Sequence, residues 1–136
     1  MTDWIDILHT PLSVHIATTF LADPQSGAID LFMGTTRADK ADLLALDYKA
    51  YEPMAIGQMR SIAVISREKF GVRKLVMLHR VGRVAVGEMS VLVGVSTPHR
   101  HASFEASRFL IEQIKANVTI WKRDVTRTDS GEWSHP

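Results

Sequence analysis

Cysteine is absent from all 136 residues. Disulfides, thiolate zinc sites and a cysteine nucleophile are thereby excluded, as is any chemistry in which this chain stores sulfur as a persulfide. No apolar run approaches the ~20 residues that span a bilayer. The first residues, Met1-Thr2-Asp3-Trp4-Ile5-Asp6, are acidic and carry neither a basic leader nor a cleavable apolar segment, so the cytosol is the expected compartment. The pattern GxxxxGK[ST] occurs nowhere, which removes that route for activating a substrate with ATP. HExxH is missing too, and of six histidines only His99 and His101 lie close together, so no metal site is expected. There are no internal repeats, low-complexity tracts or long linkers.

What is present is the balance of a globular chain, 46% hydrophobic and 23% charged, at a length that favours one domain with a real core. Net charge is only +1, yet residues 1–59 carry three Lys or Arg against eight Asp or Glu, and residues 60–136 carry thirteen against seven. A basic C-terminal half suits a locally bound anion better than a surface coated for nucleic acid; solvated charge on a mixed surface accounts for the same count.

Periodicity predicts strands and helices in mixed order. Trp4–Leu8 reads as a strand and Leu12–Leu21 as a short helix. The turn cluster Asp23-Pro24-Gln25-Ser26-Gly27 precedes a strand over Ala28–Met33, which Gly34-Thr35-Thr36-Arg37 ends before a loop over residues 38–42. Leu44, Leu46, Tyr48 and Ala50 alternate with Ala45, Asp47, Lys49 and Tyr51, the mark of a half-buried strand. Pro53 sits where a helix begins, and Ala55, Met59, Ile62, Ala63, Ser66 and Phe70 trace its inner face as far as Gly71. Leu75–Val81 and Met89–Ser96 read as paired strands joined by residues 82–88. Thr97 as cap and Pro98 at the first helical position predict a helix to about Ala116, burying Ala102, Ala106, Phe109, Leu110 and either Gln113 or Ile114. Val118–Val125 is extended. Without a strict βαβ repeat, the expected class is α+β.

Three segments carry candidate chemistry. At Thr97-Pro98-His99-Arg100 a helix opens with free N–H groups and a positive dipole end. Two cationic side chains there oppose the dipole unless a phosphate compensates them, although a surface Arg beside a capping-region His has the same appearance. Lys115 and Lys122 lie seven residues apart across the predicted helix end, with Arg123 next and Trp121 available as a wall. A lysine set among cations loses its proton more readily, which suits a nucleophile, acid or base; most lysines near helix ends merely offset the C-terminal dipole. In Gly34-Thr35-Thr36-Arg37, a strand end running into a loop, Arg37 can grip a phosphate with two hydrogen bonds. His79 and Arg80 read as structural or interface residues on a strand. Tyr48, Tyr51 and Trp133 can stack on a flat ring, though core or interface packing is the commoner fate.

Four colinear segments, GAIDLFMGTTR, YKAYEPMA, LHRVGRVAVGEMSVLVGVSTPHRHASFEA and IEQIKANVTIWKRD, together resemble the large, catalytic subunit of molybdopterin synthase. The similarity runs from about residue 27 to 133, and its most specific pieces are S-x-P-H-R and K-x6-K-R with Trp before the second Lys. The resemblance implies a single domain over residues 1–136, of α/β-hammerhead type, with a mostly antiparallel sheet and flanking helices. It implies a sulfurtransferase of molybdenum cofactor biosynthesis, with no cofactor of its own, that converts cyclic pyranopterin monophosphate to the molybdopterin dithiolene. Sulfur would arrive as a thiocarboxylate on the C-terminal Gly-Gly of a small ubiquitin-like subunit. A homodimer of this chain with one small subunit at each end would make a heterotetramer, with no nucleic acid or membrane partner. By position, Lys115 and Lys122 correspond to catalytic lysines that also contact substrate. Thr35, Thr36, Arg37, His99, Arg100, Arg123 and Asp124 correspond to substrate-binding positions.

The residues themselves agree at two points: a chain without cysteine or an ATP loop needs sulfur already activated elsewhere, and the cations suit a phosphorylated substrate. Three departures stand out. Thr119 occupies a position where that family usually has Pro, so a looser turn between the lysines is expected. Asp124 replaces the usual Glu, and the chain stops at Pro136, without the longer tail of some members. Two other classes compete: a non-catalytic module that only docks a ubiquitin-like tail, against which both lysines count, and a small nucleic-acid-binding domain, against which the near-zero net charge counts.

Overall fold

The computed structural model describes residues 2–135. These form seven strands and three helices: β1 (Asp3–Leu8), α1 (Val14–Leu21), β2 (Ala28–Thr35), β3 (Leu43–Ala50), α2 (Glu52–Phe70), β4 (Lys74–Arg80), β5 (Gly82–Ala85), β6 (Met89–Thr97), α3 (Arg100–Asn117) and β7 (Ile120–Thr126). The mixed order is the expected α+β one. Instead of one sheet, however, there are two, in the orders β1-β4-β6-β2 and β5-β3-β7. The split happens at Gly82, whose φ of 89° only glycine adopts readily. The chain leaves β4 there and β5 crosses to pair with β3, so residues 82–88 are not simply a connection. Only β1 and β4 run parallel; every other pairing is antiparallel.

β4 and β6 are apolar on both faces because both faces are covered. Leu75, Met77, Val91, Val93 and Val95 meet α2 and α3 in the main core. Val76, Leu78 and Leu92, on the opposite face, meet Ala17 and Leu21 of α1. α2 buries Ala55, Met59, Ile62, Ala63 and Ser66, as its spacing predicts, and ends where Gly71 takes φ 67° and donates its N–H to the Arg67 carbonyl.

Two local expectations need correction. α3 starts at Arg100 with His99 in the capping position, so Thr97 is not its cap and Pro98 is not its first residue. Thr97 instead closes β6, fully buried, and its hydroxyl donates to the His99 carbonyl at 2.7 Å. In β3, Leu44 is 47% exposed while Ala45 is buried. A register shift between Leu43 and Ala45 breaks the period of two there, as a bulge does.

After β7 the chain doubles back. Lys122 and Ser134 exchange both backbone hydrogen bonds, at 2.8 and 2.7 Å, and the Gly131 N–H donates to the Asp124 carbonyl at 2.7 Å. Among the described residues no helix is long and apolar enough to cross a membrane.

Candidate active site

The end of β2, the last turn of α3 and the middle of β7 meet around an open cleft of about 420 Å³. Thr35 and Arg37 line it from the end of β2, Lys115 from α3, and Lys122 and Asp124 from β7. Lys122 and Asp124 share a face because they are two apart on a strand. Among the described residues no carboxylate pairs with Arg37, Lys115 or Lys122. Asp124 is already engaged, at 2.5 Å from Lys40 Nζ, and that hydrogen bond holds the Lys40 ammonium above its usual range. Against these three cations the lining sets one other carboxylate, Asp39, and the remaining surplus of positive charge on a concave surface makes a site for anions.

Four of the expected substrate positions lie elsewhere. Thr36 is buried behind the cleft, its N–H donating to the Glu88 carbonyl and its carbonyl accepting from the Gly87 N–H. Its backbone thus fixes the turn that carries Arg37 outward. Arg123 points to the face of β7 opposite Lys122, where it donates to Asp47 Oδ2 at 3.3 Å and lies 4.6 Å over the Trp133 ring. There it helps Arg83, the stronger partner, to hold the Asp47 carboxyl below the usual range.

His99 and Arg100 line a separate exposed hollow with Gly27, Pro98 and Phe104. The register explains the distance. Ala28 pairs with Thr97 at one end of the β2–β6 ladder and Thr35 with Met89 at the other. Seven residue steps of strand separate the two ends, roughly 23 Å at ~3.3 Å per residue. Within one chain, Arg37 and Arg100 cannot grip the same phosphate.

The structure also adds Lys40, Ser90 and His79, which sequence patterns do not single out for the site. Lys40 reaches Asp124 across 84 positions. Tyr48, Ser90 and His79 surround a small cavity behind Lys115. Alternation alone puts His79 on the inner face with Leu75 and Met77, but gives it no chemistry.

Thr119 does not loosen the turn between the lysines. Its N–H and its hydroxyl both donate to Gln58 Oε1 of α2, at 2.8 and 3.1 Å. A proline has no N–H to make the first of these. Gln58→Ala should therefore lower stability by about 1–2 kcal/mol. Urea unfolding checks this, and coincident midpoints for the two proteins would show the tether to be idle.

A family model described as MoaE protein matches residues 7–117. The chain is 40% identical over 133 residues to the molybdopterin synthase catalytic subunit of Bos taurus, covering 96% of this chain and 70% of that protein. It is 38% identical over 135 residues to the same-named protein of Drosophila willistoni, of which it spans only 36%. The fold superposes on a crystal structure of molybdopterin synthase from Staphylococcus aureus with a TM-score of 0.90 and 31% identity, over 96% of each chain. On fold and sequence alike, the chain belongs to the MoaE protein family, whose curated relatives are named molybdopterin synthase catalytic subunits.

Proposed function

We propose that this chain is the catalytic subunit of a cytoplasmic molybdopterin synthase. It takes sulfur from the C-terminal thiocarboxylate of a small ubiquitin-like subunit and delivers it to cyclic pyranopterin monophosphate, forming the dithiolene. The convergence of Arg37, Lys115 and Lys122 on one cleft, in a chain without cysteine, supports this most directly. Such a cleft attracts both a phosphate and a carboxylate-like peptide end, and the sulfur must come with the latter. Dithiolene formation from the pure chain, thiocarboxylated partner and pterin is the test. Product at the same rate from the isolated chain and inorganic sulfide would refute the division of labour.

His99 and Arg100 belong to this site through a second copy of the chain. Their distance from Arg37 within one chain supports that arrangement. So does β2, an edge strand on which Ile29, Phe32 and Met33 are exposed, as an interface between copies requires. Arg100→Ala should weaken pterin binding about ten- to a hundredfold at unchanged stability, read by calorimetry. Mixing Arg100→Ala with Lys115→Ala chains then discriminates. If each site draws on two copies, then at pterin concentrations well below the weakened Kd of Arg100→Ala random re-pairing restores about a quarter of wild-type sites from two impaired parents. No recovery after verified subunit exchange would return His99 and Arg100 to a separate role.

A further inference from the structure

His79 is a buried titratable group that the chemistry above does not use, 6% exposed and directly behind a lysine. Its Nδ1 lies 2.8 Å from the Arg80 carbonyl, which can only accept, so Nδ1 carries the proton. Burial, with the Lys115 charge as a lesser cause, holds the ring neutral by lowering its pKa to about 4. Nε2 is therefore a bare acceptor, and no protein group bonds it among the described residues. Tyr48 meets the ring edge-on at 4.9 Å between centroids. Burial pushes its phenol up, and it too stays uncharged.

These groups enclose a cavity of about 30 Å³, with His79, Tyr48, Ser90 and Lys115 as its polar walls and Ile111 and Ile114 among its apolar ones. That volume suits one water, which needs two to four polar partners. Lys115 lines this cavity and the open cleft alike. The titratable groups facing His79 are Tyr48 from β3 and Lys115 from α3. On its own strand, Arg80 is turned to Glu88 at 3.6 Å.

We propose that His79 is the positioning residue for Lys115, its Nε2 accepting from a single water that in turn accepts from the lysine ammonium. The inference rests on the proposed role of Lys115 and adds what aims its amine into the cleft. A neutral acceptor suits this place. A carboxylate would trap the ammonium as an ion pair, and a charged imidazole would repel it.

In the assembled synthase, His79→Leu should lower kcat for sulfur transfer roughly tenfold and displace the pH–rate profile, with KM and partner affinity little changed. His79→Gln supplies an acceptor near the Nε2 position and should recover most of both. Equal losses for Leu and Gln with an unmoved pH profile would reduce His79 to packing. A measurement independent of turnover, and of whether the variants fold, uses nitrogen-15 NMR of the wild-type chain. It should find Nδ1 protonated and Nε2 unprotonated and hydrogen-bonded, down to about pH 5. The opposite tautomer overturns the proposal while leaving the function of the cleft untouched. A dithiolene assay that fails with these NMR signals intact removes the function instead.

Discussion

Lys115→Ala should abolish sulfur transfer while leaving the fold and the partner complex intact. The side chain leaves the last turn of α3 and is exposed to the cleft, so its removal opens no core cavity. The structural loss is confined to its favourable interaction with the helix C-terminus, about 0.3–1 kcal/mol. The chemical loss is much larger. An amine that gives or takes a proton at the transfer centre typically accelerates a reaction by about 10²–10⁴. Lys115→Arg should rescue little, because guanidinium keeps the charge but neither releases a proton nor acts as an amine. Single-turnover transfer with saturating thiocarboxylated partner reads this directly. A near-normal rate for Lys115→Ala would shift the assignment to Lys122, which lines the same cleft from β7.

Stability should fall by about 3 kcal/mol between pH 6.5 and pH 4, and His79 should account for it. In the unfolded chain this histidine titrates near 6.5; in the folded protein burial lowers that to about 4. Above pH 6.5 both states are neutral and His79 contributes no pH dependence. Below it the unfolded chain binds a proton that the folded protein refuses, so stability declines until the folded value is reached. The acidic pairs act in a lower window. Arg83 holds Asp47 down, and Arg73 does the same for Asp23; the stability these give is present above about pH 3.8 and fades below it. Urea unfolding at several pH values should thus show a slope from 6.5 to 4 that His79→Gln flattens. Parallel curves for the two proteins would remove His79 as its source.

Much of this molecule is legible in the chain, for reasons that differ by element. The inner face of α2 is plain because helical spacing, Pro53 near the start and Gly71 at the end all agree. β5 is not, because four residues after a strand look like a hairpin turn, and only pairing with β3 makes them a strand. The faces of β3 are obscured by its irregular register, which no alternation count can anticipate. In the site, Arg37 and Lys115 stand out as cations at element ends, and Lys122 by its spacing of seven from Lys115. The ion pair of Lys40 with Asp124 is invisible, since the packing of a loop against β7 brings them together. That Arg100 lies far from Arg37 follows from the β2–β6 register, a property of pairing that neither segment carries alone. Thr119 shows the converse: a residue that reads as a lost proline acquires a partner, Gln58, from a helix 61 positions away.

The tail that doubles back along β7 governs how a peptide can dock. A free strand edge is a template on which an incoming extended chain can add itself as another strand. At β7 the template is already used, because Lys122 has given both its backbone groups to Ser134, and the Asp124 carbonyl is taken by Gly131. A peptide entering the cleft finds no ladder to join along β7. Under the proposed function, the donor's terminus is met along β7 by side-chain charge, from Lys122 and Lys115, and not by main-chain pairing.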